Sequence, residues 1–105
     1  MSIPANVQRG AEFLDAELGP YWDEDIIIGR LDLGDTCNCV VGQLMRSEVP
    51  RHRAYQRYDR GVEKFGIKSP ARLGFNTWGR QTFGRLTEAW RDLISDRREA
   101  RRRTA

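Results

Sequence analysis

Residues 83–98 read FGRLTEAWRDLISDRR, and this stretch decides the fold class. Its large apolar side chains recur every three or four residues, which is the spacing of one buried face of an α-helix. The residues of this face are Phe83, Leu86, Trp90 and Ile94, with Leu93 on its flank. The pattern predicts a long helix over much of residues 77–98 that packs on a core through Trp90.

Two segments in the first half of the chain have the same periodicity. The first spans about residues 5–18, where Pro4 suits the opening turn and Gly19-Pro20 ends the helix. Its expected buried face consists of Val7, Ala11, Leu14 and Leu18. The second segment is expected to start at Asp35 or Thr36, either of which is a good N-cap residue, and to run to about Met45.

A third helix is predicted after Pro50, and its apolar face consists of Tyr55, Tyr58, Val62 and Phe65. Gly66 followed by Ile67 is typical of a glycine C-cap with a trailing hydrophobic contact. Leu73 and Phe75 fall in the turn before the long helix, and we expect them to plug the core.

These elements predict a small all-α bundle of about four helices with an irregular segment at residues 20–34 that crosses it. That segment could also hold a brief strand at residues 25–28. A length of 105 residues with 39% apolar residues fits one modest core. Because the apolar face of the long helix ends at Ile94, we expect residues 1–96 to form a single helical domain and 97–105 an Arg-rich, solvent-exposed tail.

The composition favours a cytoplasmic protein. No apolar run approaches the roughly 18 residues that a membrane span needs. The N-terminus lacks the basic and apolar regions of a secretory signal. The two cysteines are one residue apart, which is not the framework of a small secreted domain.

The charge is distributed unevenly along the chain. Residues 1–35 hold eight acids and two bases, a net charge of −6, whereas residues 36–105 hold seven acids and sixteen bases, a net charge of +9. A basic half suggests acidic partners, including nucleic acid. The acidic segment WDED at residues 22–25 could face the bases of a second copy in a homo-oligomer, or pair internally with the third helix.

The segment GDTCNCVVGQL at residues 34–44 contains both cysteines. If the segment is already helical after Gly34, Cys37 faces the core and Cys39 lies on the opposite side with Gly42 and Gln43. Those three residues then form a shallow notch with a hydrogen-bonding amide, which we interpret as a contact surface. Its neighbour is either another part of this chain or a protein partner.

Chemistry at the cysteines is an alternative to that interpretation. Cys37, Cys39 and His52 give only three soft zinc ligands, without the usual C-x₂-C spacing. Cys39 near a helix start could act as a thiol nucleophile with His52 as its base, but no motif sets their distance. A redox pair would have to break the helix start. We therefore predict no catalytic residue, no metal and no cofactor.

Two sets of cations could bind a partner. Arg53, Arg57, Arg60 and Lys64 form a basic ridge on the third helix, opposite its apolar face. The ridge could bind a protein or phosphates, although an ordinary solvated helix face has the same pattern. The second set lies in the tail and could bind nucleic acid: Arg97, Arg98, Arg101, Arg102 and Arg103.

Four stretches within about residues 10–94 read GAEFLDAELGPYW, IGRLDLGDTCNCVVGQL, ARLGFN and LTEAWRDLI. Together they resemble a group of short uncharacterised proteins encoded by actinobacterial phages and their hosts. The shared features are an LDL-x-x-x-C-x-CV-x-GQL centre and an LT-x-AW end. No activity is established for that group, so the resemblance assigns neither an activity nor functional residues to this chain. It implies a setting, a small phage or prophage protein in the cytoplasm of a host bacterium.

The leading functional expectation is a non-enzymatic protein-binding module, with a host or phage protein as its partner. Its expected contact residues are Cys39, Gly42, Gln43, Arg53, Arg57, Arg60 and Lys64. Nucleic-acid association through the ridge and the tail is the second hypothesis, and a thiol or zinc site at Cys37 and Cys39 is the third.

Overall fold

The computed structural model describes residues 2–104, except for the side chain of Arg80, and folds them into four α-helices joined by turns. The helices are α1 (Ile3–Leu18), α2 (Val40–Leu44), α3 (Arg57–Phe65) and α4 (Arg80–Thr104). Three short 3₁₀ turns lie at Trp22–Asp25, Ile28–Arg30 and Arg51–Gln56. No strand forms between residues 2 and 104, so the predicted all-α class is confirmed and the alternative strand at 25–28 is wrong.

Helix α1 begins with a serine cap. The hydroxyl of Ser2 accepts a hydrogen bond from the backbone N–H of Ala5 at 3.2 Å, which satisfies one of the free amides of the first turn. Val7, Ala11 and Leu14 are buried as predicted, whereas Leu18 is 44% exposed and does not belong to the core. Leu18 is the last residue of the helix, which ends at Gly19 with a φ of 84°.

Helix α4 carries the centre of the core. Trp90 is completely buried, and its ring stacks on Phe75 with 5.4 Å between ring centroids. The ring of Trp22 meets Trp90 edge-on at 6.0 Å, and the indole N–H of Trp90 donates to the carbonyl oxygen of Gly74 at 2.6 Å. A buried tryptophan therefore has its one polar group satisfied. The predicted role of Phe75 as a plug of the core is confirmed.

The C-cap of α3 also follows the prediction. Gly66 adopts a left-handed conformation with φ of 68°, which glycine reaches without a steric cost. The backbone N–H of Ile67 then donates to the carbonyl oxygen of Val62 at 2.9 Å, and the Ile67 side chain is buried. This end of the helix is thereby anchored to the core.

The segment at residues 20–34 crosses the bundle as an irregular chain, as predicted. This segment buries four apolar side chains: Trp22, Ile26, Leu31 and Leu33. The turn at Trp22–Asp25 packs against α1, α2 and α4. Its acidic residues are thus brought next to the last turns of α4. Among residues 2–104 no helix is both long and apolar enough to cross a membrane.

Candidate functional site

The cysteine segment does not enter a helix where the sequence pattern predicted. The carboxylate of Asp35 accepts hydrogen bonds from the backbone N–H of Cys37 at 2.9 Å and from the amide of Asn38 at 3.0 Å. These bonds hold residues 35–38 in a turn, which competes with helix formation. Helix α2 starts only at Val40, and Cys39 becomes its N-cap, with Sγ accepting from the backbone N–H of Gly42 at 3.2 Å.

This later start overturns the predicted outward notch. Cys39 is only 2% exposed and Gln43 only 4%, and Gly42 is also buried. A side chain at Gly42 would not fit, because its Cβ would lie 2.2 Å from the carbonyl oxygen of Thr36. Cys37, which was expected to face the core, is the partly exposed cysteine. The notch is thus filled by this chain itself, and the prediction of a partner surface at Cys39, Gly42 and Gln43 is wrong.

Gln43 has a structural role that explains its burial. Its side-chain oxygen accepts from the backbone N–H of Ile27 at 2.6 Å, and its amide donates to the carbonyl oxygens of Ile27 at 3.2 Å and Asn38 at 3.1 Å. One side chain therefore satisfies three backbone groups of two irregular segments. Unpaired, each such group would cost about 1–3 kcal/mol.

The pKa of each thiol is raised in this arrangement. Burial raises the pKa of Cys39 to about 12. The hydrogen bond from Cys37 Sγ to Asp35, 3.0 Å long, raises the pKa of Cys37. Both cysteines are free. Within residues 2–104 no group of three or more His, Cys, Asp or Glu side chains is arranged to hold a metal ion.

The predicted basic ridge is broken by a change of helix type. Residues Arg51–Gln56 form a 3₁₀ turn in which Arg53 has non-helical backbone angles, and α3 starts only at Arg57. Tyr55, which was expected in the core, is 67% exposed. Arg57 lies half-buried and donates from Nε to the carbonyl oxygen of Val49 at 3.1 Å. Arg57 is therefore part of the fold rather than of a continuous ridge.

The other three ridge cations surround a cavity of about 400 Å³. Arg53, Arg60 and Lys64 line it together with Glu48 and Glu63, and Met45, Val49 and Pro50 supply its apolar wall. Gln56 also lines the cavity. We call this feature the basic cavity. Lys64 pairs with Glu48 across it, whereas the described side chains form no ion pair with Arg53 or Arg60.

The arginines of the predicted tail are mostly part of the fold. Helix α4 continues to Thr104, and Arg97, Arg98 and Arg101 turn back onto the 3₁₀ turn at Trp22–Asp25. We call these three residues the C-terminal arginine cluster. The prediction that they stand in solvent is wrong. Arg102 and Arg103 are exposed, and Arg103 pairs with Glu99.

Asp23 is the anchor of the C-terminal arginine cluster, and its side chain is fully buried. Its carboxylate accepts from Arg97 Nε at 2.6 Å and from Arg101 Nη2 at 2.6 and 2.7 Å. Arg98 donates to the backbone carbonyl oxygens of Asp23 and Ile26. Buried carboxylates need such charged donors, because an unpaired charge in the interior is strongly unfavourable.

Asp15 extends the network to α1. Arg97 donates to its two carboxylate oxygens at 2.7 and 3.2 Å, and the indole N–H of Trp22 donates to it at 2.8 Å. The hydrogen bonds from Arg97 lower the pKa of Asp15. The guanidinium of Arg97 also lies over the Trp22 ring, 5.0 Å from its centroid. The acidic N-terminal and basic C-terminal parts thus meet within one molecule, through α4 and not through the third helix.

The pairing of these arginines with Asp15 and Asp23 was not predicted from the sequence. Two signals were present. Arg97 and Arg101 continue the spacing of the apolar face beyond Ile94, and the N-terminal part of the chain carries an excess of acids. An arginine on a buried helix face needs an acid opposite it, and eight of the fifteen acids lie in residues 1–35.

Comparison with known protein families, with curated proteins and with solved structures found no match to this chain.

Proposed function

We propose that this chain is a non-enzymatic protein-binding module of the type that actinobacterial phages and prophages encode, and that it binds a host protein in the bacterial cytoplasm. The observation that carries the proposal is the basic cavity, where Arg53, Arg60 and Lys64 surround an apolar wall. Three of the seven residues predicted to contact a partner converge there.

The chemistry of the basic cavity suits a protein surface. Arginine is among the residues that contribute most to protein–protein binding, and an apolar floor with a charged rim is the usual plan of an interface. Met45 and Val49 are 3% and 7% exposed, so the floor is already packed against the core. Arg53 and Arg60 are exposed at the rim.

Two neighbouring residues add to the binding surface. Tyr55 is 67% exposed, and a tyrosine offers a large apolar ring with a hydrogen-bonding tip. The side-chain oxygen of Gln56 is buried, and none of the described residues donates a hydrogen bond to it. The partner that fits is an acidic protein segment, whose carboxylates reach the two arginines and whose N–H group reaches Gln56.

The state of the thiols supports a binding role over thiol catalysis. A thiol whose pKa lies near 12 is almost entirely protonated at neutral pH, and the thiolate is the nucleophile. The nucleic-acid hypothesis now depends on fewer cations, because the C-terminal arginine cluster is held by Asp15 and Asp23. It stays a prediction based on Arg102, Arg103 and the basic cavity.

Affinity capture from a nuclease-treated actinobacterial lysate tests the proposal. The baits are the full-length protein, the variant Arg53→Glu/Arg60→Glu, and the control Arg91→Glu/Arg102→Glu. The control reverses two exposed arginines outside the basic cavity and changes the net charge equally. We expect a protein that the wild type and the control enrich, and that the cavity variant enriches about tenfold less or weaker still.

Two results would refute the proposal. One is that no protein is enriched above an unrelated bait of the same charge. The other is that the two double variants lose the captured protein equally, since binding would then follow net charge alone. A duplex-binding assay on the same proteins at low salt separates the second hypothesis, which predicts affinity that falls steeply as salt is added.

A further inference from the structure

A second surface lies between α1 and α4, and it shares no residue with the basic cavity. It is a groove of about 700 Å³. Its apolar floor consists of Ile3, Val7, Ala89 and Leu93. Ile3, Ala89 and Leu93 pack against the core but remain partly exposed. The groove is thus continuous with the core and is held by the two longest helices.

The edge of the groove on α4 is acidic. Glu88, Asp92 and Asp96 all line the groove, follow each other at four-residue intervals and are exposed. Like charges at this spacing destabilise a helix by about 0.2–0.5 kcal/mol per pair. In the part of the chain that the structure describes, no base forms an ion pair with any of the three. They differ in this from Asp15 and Asp23, which are paired with arginines.

We propose that this groove docks an amphipathic helix of another protein, with apolar side chains on one face and lysines or arginines beside them. The apolar face fits the floor, and the basic flank offsets the repulsion among the three acids. The lining residues of α4 run from Arg85 to Arg97, which at 1.5 Å per residue is a length of about 18 Å. A helix of about three turns matches it.

The charges at the two ends of the groove set the register of the bound helix. Arg97 is already paired with Asp15 and Asp23, so it leaves the acids of the groove unpaired. Arg85 is exposed at the opposite end and repels cations there. The basic residues of the partner therefore lie against the stretch from Glu88 to Asp96.

A designed peptide tests this inference. The probe is a labelled peptide of about 16 residues, made of Leu, Lys and Ala, with leucines on one helical face and lysines flanking it. The matched peptide carries Glu in place of every Lys. Binding to the full-length protein is followed by fluorescence anisotropy, and the bound surface is located by amide chemical-shift changes in NMR spectra.

The variant is Glu88→Arg/Asp92→Arg, and the control is Glu17→Arg/Asp59→Arg, which reverses two exposed acids outside the groove. We expect the lysine peptide to bind the wild type and the control, with shifts at Ile3, Ala89 and Leu93. The groove variant should weaken this binding about tenfold or more, and should now prefer the glutamate peptide.

Equal binding of the two peptides to the wild type would overturn the inference, and so would equal weakening by the two double variants. Shifts confined to other surfaces would do the same. A dimer of the free protein that the groove variant abolishes would also overturn it, because the groove would then be filled by a second copy.

Discussion

Replacing Asp23 by asparagine tests whether the C-terminal arginine cluster holds the fold together. The side chain of Asp23 is fully buried, and its carboxylate accepts hydrogen bonds from Arg97 and Arg101. Asparagine has nearly the same shape, so no cavity opens. It carries no charge, however, and one of its two terminal atoms donates instead of accepting. The change therefore tests the charge and the acceptor capacity of the carboxylate with almost no change of shape.

The magnitude follows from the pair with Arg97. A hydrogen bond to a charged group contributes about 1.5–3 kcal/mol, and breaking a buried ion pair costs about 3–5 kcal/mol. The Arg97 side chain is 24% exposed, so water restores part of its solvation when the acid is lost. We therefore expect the free energy of unfolding to fall by about 2–3 kcal/mol, out of the roughly 5–15 kcal/mol that is usual for a domain.

Urea unfolding at pH 7, followed by tryptophan fluorescence, measures this loss. Trp22 and Trp90 are buried and report on the core. The control is Asp96→Asn, which removes an exposed acid of α4 and should change the free energy of unfolding by less than about 0.5 kcal/mol. A fall at Asp23 no larger than at Asp96 would refute the role of the C-terminal arginine cluster.

A chain that ends at Asp96 completes the test. It lacks Arg97, Arg98 and Arg101, so it already lacks the partners of Asp23. If those contacts stabilise the fold, the truncation alone is destabilising, and adding Asp23→Asn to it changes stability much less than in the full chain. Independent, additive losses would show that Asp23 acts through some other contact.

Two further predictions concern titrating groups. Because Arg97 lowers the pKa of Asp15, this acid stabilises the fold fully above its unfolded pKa of about 3.9 and loses that contribution as the pH falls through the lower folded value. In urea titrations, the difference in unfolding free energy between the wild type and Asp15→Asn should therefore shrink below about pH 4. A difference that stays constant with pH would contradict this prediction. Cys39, with a pKa near 12, should react with iodoacetamide at least about a hundredfold more slowly in the native protein than in urea, as followed by mass spectrometry. Comparable rates in the two conditions would contradict this prediction and would favour the hypothesis of a reactive thiol.

The long helix α4 was predictable because its apolar periodicity is strong and its apolar face packs directly on the core. Leu86, Trp90 and Ile94 are all buried where the pattern places them. The C-cap at Gly66 was predictable for a local reason, since its hydrogen bonds join residues that are no more than five positions apart. The structure at the end of α4 was not predictable, because Arg97 and Arg98 contact residues that are more than 70 positions away in the sequence.

The predicted helix start in the cysteine segment was wrong for a local reason, which the spacing of apolar residues does not show. Asp35 was a plausible N-cap, but its carboxylate binds the next residues in a turn instead, and the sulfur of Cys39 caps the helix four residues later. Helix α2 is then only five residues long. A helix so short has no free polar face, since the crossing segment covers Gln43 on the side that the pattern assigned to solvent.

The internal pairing changes what the basic half of the chain can bind. Phosphates could reach Arg97 and Arg101 only in competition with Asp15 and Asp23, and releasing Asp23 would leave a buried carboxylate without its donors. Anion binding at the end of α4 thus competes with the internal ion pairs that stabilise the fold. No such competition exists at Arg53 and Arg60, which are exposed and form no ion pair with the described residues. Arg53 and Arg60 at the basic cavity are therefore more accessible to an anionic partner than Arg97 and Arg101, even though the sequence is most basic at its end.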